Sequence, residues 1–129
     1  MTHDKADIGV YGLGTMGSAL ALNLAESGFR VAVTNREVDW IPAFVEKAGA
    51  LAPLLVPVNT LAEFVTALKP PRTILFMIPS GAPMDAMIDA VLPLLESGDT
   101  IIDGGNADFN DTRRRFARLE GTGAHFVGM

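Results

Sequence analysis

No stretch of this chain limits its possible folds more than Gly12-Leu13-Gly14-Thr15-Met16-Gly17. An apolar run, Asp7-Ile8-Gly9-Val10-Tyr11, precedes it directly and reads as a buried strand. Directly after it, Met16, Ala19, Leu20, Asn23 and Leu24 recur at three- and four-residue spacing, which predicts one face of a helix. A glycine hexapeptide between strand and helix has a specific physics. Gly12 permits the tight turn, Gly14 lets a pyrophosphate reach the backbone, and Gly17 lets the helix pack on the sheet. The exposed amides and the helix dipole then favour phosphate. The competing explanation is a plain tight turn, and the flanking strand and helix weigh against it.

The rest of the chain repeats the alternation. Arg30–Thr34 is a β-branched strand, and Trp40–Ala48 a helix with Phe44 and Val45 inward. Leu51–Asn59 carries Pro53 and Pro57, so it is a loop with at most a short edge strand. Thr60-Leu61-Ala62-Glu63 is a capping box opening a short helix to Leu68, and Lys69-Pro70-Pro71 stops it. Thr73–Ile78 is uniformly apolar, as a strand covered on both faces is. Pro83–Leu95 is a helix that Pro93 bends or ends early. Thr100–Asp103 is a strand, Asp111–Glu120 an Arg-rich helix, and His125-Phe126-Val127 one more strand. This order predicts an α/β fold of Rossmann type, a doubly wound, mainly parallel sheet with helices on both faces. With 129 residues, the chain suits a single dinucleotide-binding domain, and its end just after a strand reads as the N-terminal part of a longer protein.

Composition removes other classes. There are no cysteines, so disulfide scaffolds and thiolate metal sites are excluded, and two histidines, His3 and His125, do not make a histidine-rich metal centre. The net charge of -5 argues against a nucleic-acid partner. No apolar run reaches the roughly 18 residues of a membrane helix, and the polar start resembles no signal peptide, so a cytoplasmic location without a membrane partner is expected.

The position about 20 residues beyond the glycine loop decides between two dinucleotides. A carboxylate there accepts from the ribose 2′-hydroxyl of NAD. This chain has Asn35-Arg36, which removes that repulsion and offers a guanidinium to the 2′-phosphate of NADP. Glu37 opposes this if it points inward, so NAD stays open. Other strand ends should line the same crevice: Ile78-Pro79-Ser80 and Asp103-Gly104-Gly105-Asn106. The Asn106 amide suits the nicotinamide ribose or a substrate hydroxyl, although the same residues also make an ordinary turn. Thr112-Arg113-Arg114-Arg115 is expected to be a solvated helix face with one or two ion pairs rather than an anion site. Trp40 and the six methionines are read as packing residues.

Taken in order, Ile8–Gly17, Asn35-Arg36, Lys69–Ile74, Gly98–Asn106, Asp111–Arg115 and Gly123–Gly128 resemble the N-terminal cofactor domain of the 6-phosphogluconate dehydrogenase family. The block Gly-Asp-Thr-Ile-Ile-Asp-Gly-Gly-Asn at 98–106 is the most specific of these. The resemblance implies an oxidoreductase of the pentose phosphate pathway and of gluconate utilisation. Such an enzyme oxidises the C3 hydroxyl of 6-phosphogluconate by hydride transfer to NADP. The 3-keto acid then loses carbon dioxide to give ribulose 5-phosphate through an enediol. It implies a homodimer with a helical C-terminal domain. That domain supplies the lysine, the glutamate and the Ser-Gly-Gly substrate loop, so no catalytic residue lies in these 129 residues. By position, Gly12, Leu13, Gly14, Thr15, Met16 and Gly17 hold the pyrophosphate, and Asn35, Arg36 and Glu37 surround the 2′-phosphate. Ile78, Pro79 and Ser80 lie along the nicotinamide, and Asn106 touches cofactor and substrate. Many members have Thr or Ser in place of Glu37, and many long ones have Val-Lys-Ala in place of Ile78-Pro79-Ser80. The alternatives are a β-hydroxyacid dehydrogenase of the 3-hydroxyisobutyrate type and a nucleotide-binding module without catalysis.

Overall fold

A computed structural model describes residues 5–78, 81–104 and 109–128. Six strands form one sheet: β1 (Ile8–Tyr11), β2 (Val31–Thr34), β3 (Leu55–Pro57), β4 (Thr73–Phe76), β5 (Thr100–Asp103) and β6 (His125–Gly128). Among the described residues, five α-helices connect them: α1 (Thr15–Glu26), α2 (Trp40–Ala48), α3 (Leu61–Thr66), α4 (Ala82–Val91) and α5 (Phe109–Leu119). The strand order is β3-β2-β1-β4-β5-β6, and every pair is parallel.

That order explains why the helices divide between two faces. The chain winds outward from β1 to β3, then crosses back to β4 on the other side of β1. Right-handed crossovers in opposite directions put their helices on opposite faces. Ala21 and Ala25 of α1 and Ile41 and Phe44 of α2 pack on Val10, Val31 and Val33. On the other face, Phe64 of α3, Met84 and Ile88 of α4 and Leu119 of α5 pack on Ile74, Phe76 and Ile101. The order in which strands are added reverses between β1 and β4, and there the carboxyl ends of the strands splay into a crevice. Met77 donates its N–H to the Tyr11 carbonyl across this point (2.8 Å).

Local chemistry sets the boundaries. The Thr60 hydroxyl accepts from the Glu63 amide (3.1 Å), which is the cap expected for α3. Helix α4 ends at Val91 and Pro93 sits in a following 3-10 turn, so the proline ends the helix rather than bending it. β3 is a three-residue edge strand that follows the turn holding Pro53 and ends on Pro57. Two expectations need correction. The face of α1 that meets the sheet is Gly17, Ala21 and Ala25, while Met16, Ala19 and Asn23 are exposed. Small residues let the helix backbone approach the strands, and the larger Leu20 and Leu24 flank that contact. The strand expected to run to Ile78 stops at Phe76, so the last two apolar residues, Met77 and Ile78, leave the sheet.

Candidate functional site

The crevice opens beside the glycine loop. Gly12 has φ +106° and donates its N–H to the Thr34 carbonyl (3.0 Å). A side chain here would be strained and would strike the Met77 carbonyl. A Cβ on Gly17 would overlap the Gly12 carbonyl, so this glycine is required by the close packing of α1 on the turn. Gly14 is different. Its backbone is ordinary (φ -69°) and a Cβ would meet nothing within 4 Å. Nothing in the chain itself requires glycine at 14, and the space before it is open. Helix α1 starts there with no side-chain cap and no acid in its first turn. Its first amides therefore point outward without an internal partner or a compensating charge, the arrangement that binds anions. Thr15 and Met16 are exposed at this start, and Leu13 is buried beneath it.

The end of β2 is tied to this loop. Asn35 is buried, and its Oδ1 accepts the Leu13 N–H (2.7 Å). Its Nδ2 donates to the Glu37 carbonyl (3.1 Å) and to Glu37 Oε1 (3.3 Å). The other Glu37 oxygen accepts Arg36 Nε (3.1 Å) and Nη2 (2.7 Å). So the three residues expected around a 2′-phosphate form a relay: the glycine loop fixes Asn35, Asn35 fixes Glu37, and Glu37 holds Arg36. The Arg36 guanidinium holds the Glu37 carboxyl below its usual range, so it is charged at neutral pH. Arg36 itself is 84% exposed. Glu37 thus faces the arginine and the Asn35 amide.

The crevice above Gly12 and Gly14 encloses about 460 Å³, within the range of small-molecule sites. Asn35, Arg36 and Glu37 line one side, and Ile78 another. The remaining walls are Tyr11, Trp40, Met77, Pro83, Ala86 and Met87, none of which was singled out as a site residue. Met77 and Ile78 carried a signal, since they prolong an apolar run past the strand that explains it. Burial raises the Tyr11 hydroxyl pKa, and its ring packs edge-on against Phe64 (6.1 Å).

At the ends of β4 and β5 the Arg-rich helix behaves unlike the solvated face expected. Arg114 pairs with Asp85 (3.0 Å) and Arg118 with Asp89 near solvent. Arg115, between them, is fully buried. Its Nε donates to Asp85 Oδ1 (2.9 Å), Nη2 to the Gly81 carbonyl (3.1 Å) and Nη1 to Asp103 Oδ2 (3.4 Å). The two guanidiniums, Arg115 foremost, lower the Asp85 carboxyl to about 2.

Residues 7–129 match the family described as the NAD binding domain of 6-phosphogluconate dehydrogenase. The chain belongs to that family. It is 46% identical over 124 residues to 6-phosphogluconate dehydrogenase, decarboxylating, of Treponema pallidum, covering 95% of this chain and 25% of that protein. An NAD(+)-dependent decarboxylating member from Bacillus subtilis is 43% identical over 122 residues, covering 95% of this chain and 26% of that one. The solved 6-phosphogluconate dehydrogenase of Plasmodium falciparum superposes with a TM-score of 0.86 at 32% identity, covering 93% of this chain and 26% of that one. That work describes the enzyme alone, with NADP+ and with 6-phosphogluconate. The chain thus spans about a quarter of the length of the relatives it matches.

The resemblance in the glycine loop and at 98–106 is therefore one of family. Among the expected site residues, the structure brings Gly12, Gly14, Asn35, Arg36, Glu37 and Ile78 to one crevice. Leu13, Thr15, Met16 and Gly17 belong to the turn and helix start beside it. Pro79, Ser80 and Asn106 lie outside the described residues. Among the described residues no cluster of His, Asp and Glu could hold a metal, and no helix is long and apolar enough to cross a membrane.

Proposed function

We propose that this chain is the cofactor-binding part of an NADP-dependent 6-phosphogluconate dehydrogenase. The whole enzyme, a homodimer, would oxidise and decarboxylate 6-phosphogluconate to ribulose 5-phosphate. The observation that carries the reading is Gly14: a glycine with ordinary dihedrals, facing open space at the uncapped start of α1. Such a position is explained by a ligand that must touch the backbone. The pyrophosphate would lie against Gly12–Gly17, and the adenosine would enter the apolar crevice between Tyr11, Met77 and Met87. NADP, when bound, supplies the acceptor for the substrate hydride. This chain's own residues bind and orient it: Asn35 holds the loop in shape, and Arg36 meets the 2′-phosphate. Ile78, Pro79, Ser80 and Asn106 would serve the nicotinamide side, with Asn106 also reaching the substrate.

Physical reasons favour NADP over NAD despite Glu37. The Arg36–Glu37 pair is exposed, and water screens such pairs heavily. A phosphate carries more charge than a carboxylate and offers the guanidinium two parallel hydrogen bonds. Arg36 would therefore exchange Glu37 for the phosphate. Parallel calorimetric titration of the chain with NADP and NAD tests this. Tighter NADP is the expected result. Tighter NAD would mean that Glu37 keeps the arginine, and binding of neither would overturn the dinucleotide reading.

A further inference from the structure

Arg115 is a fully buried charged side chain at the carboxyl edge of the sheet, and nothing in the proposed cofactor contacts uses it. Its three acceptors come from two segments. Asp103 is the last residue of β5, and Gly104 follows it. Asp85 lies in the first turn of α4. Gly81 precedes α4 with φ +89°, and its carbonyl also accepts the N–H groups of Met84 and Asp85 (both 3.1 Å). One planar guanidinium thus fixes the start of α4 against the end of β5. Those two points flank the crevice. Gly81 comes directly after 78–80, and Gly104 directly before Gly105 and Asn106. Gly104 donates its N–H to the Phe76 carbonyl (2.9 Å), and a Cβ there would strike the side chain of Met77, a wall of the crevice.

We propose that Arg115 is a positioning residue, setting the spacing between the start of α4 at Gly81 and the end of β5 at Asp103 and so the fit of the cofactor's nicotinamide half. The inference rests on the dinucleotide reading above. Stability alone gives a poor account of the residue. A buried ion pair is often no better for stability than well-packed apolar side chains, whereas its fork geometry orients several groups at once. All three acceptors also lie beside the crevice, and none lies at the opposite end of the strands.

The test compares two ligands: NADP and its adenosine half, adenosine 2′,5′-bisphosphate. Trp40, the single tryptophan, lines the crevice and reports binding by its fluorescence. Arg115→Lys keeps the charge and loses the fork. It should weaken NADP about tenfold and leave the bisphosphate within about twofold, because losing a hydrogen bond to a charged group costs about tenfold or more and only the nicotinamide half depends on it. Asp85→Asn, at a half-buried acceptor, should shift the ratio in the same direction by about threefold. If Arg115→Lys does not fold, Asp85→Asn decides alone. Equal losses for both ligands, or an unmoved ratio, would overturn the proposal, as would a parent chain that binds NADP no better than the bisphosphate. Failure of the parent to bind either ligand would instead sink the dinucleotide reading.

Discussion

Two arginines, one partly and one fully buried, hold opposite ends of the same strands, and their surroundings differ. At the amino ends of β4 and β5, Arg72 meets Asp99 (3.0 Å) and Glu96 (3.0 Å) and donates Nε to the Val65 carbonyl (2.9 Å). Asp99 is filled: it also accepts the N–H groups of Arg72 (2.7 Å) and Glu96 (2.8 Å). At the carboxyl ends, Arg115 makes contacts of 2.9, 3.1 and 3.4 Å to acceptors spread over the start of α4 and the end of β5. The first cluster closes on itself, away from the crevice. The second spans two segments that border it. Guanidinium–carboxylate chemistry is the same in both, and the end of the sheet decides whether it serves the fold or the site.

The sharpest way to break this comparison is at Asp99. Asp99→Ala takes one of two carboxylates from the Arg72 guanidinium and leaves the backbone N–H groups of Arg72 and Glu96 without the carboxylate that accepts them. Each backbone N–H left without its acceptor costs about 1–3 kcal/mol, so the melting temperature should fall by roughly 10 °C. NADP affinity, measured well below the transition, should not change. A variant that melts with the parent, or that loses NADP selectively, would erase the distinction between the two ends.

Acid separates the clusters next. Burial pushes the Asp99 carboxyl up, but the N–H groups of Glu96 and Arg72 and the Arg72 guanidinium outweigh it and hold it low. Asp85 is held at about 2 against an ordinary 3.8. A carboxyl depressed by folding contributes stability that is fully present above its unfolded value and is lost as pH falls through its folded one. The Asp85 contribution should therefore drain between pH 3.8 and about 2. Melting curves recorded across that interval should fall less steeply in Asp85→Asn than in the parent. Parallel curves would mean that the α4–α5 clamp adds nothing to stability.

The architecture was legible because each element announces its ends. The Thr60 capping box, Pro93 and the glycines after strands are local signals, and local chemistry decided them. The glycine loop was legible for the same reason. Less legible was anything that depends on which side of an element meets which neighbour. Met16 looked inward because it is apolar, but the sheet needed the smaller Gly17, Ala21 and Ala25. Arg115 looked like Arg114, yet it lies four residues before the buried Leu119 and shares its face, while apolar Phe116 is exposed. That spacing was the available signal, and charge overrode it. The aromatic and methionine walls of the crevice come from β1, α2, α4 and the end of β4, and only the folded sheet brings them together.

Arg36 offers the smallest and most conditional test, because it repeats the same pairing in water. Glu37 holds it through two hydrogen bonds to one oxygen, and Asn35 braces Glu37 from the glycine loop. Replacing Glu37 with Thr removes a negative charge from the place where a 2′-phosphate would sit and supplies a hydroxyl. NADP should then bind severalfold more tightly, by about the modest factor that a screened surface charge confers, while NAD, lacking the phosphate, should bind as before. The gain should shrink as salt rises, because the Debye length falls from about 30 Å at 0.01 M to about 3 Å at 1 M. Titrations at the two salt levels separate the cases. A gain for NADP that ignores salt would place the effect in packing rather than charge. Equal gains for NAD would mean that Glu37 acts on the glycine loop through Asn35, and Arg36 would then lose its claim to the 2′-phosphate.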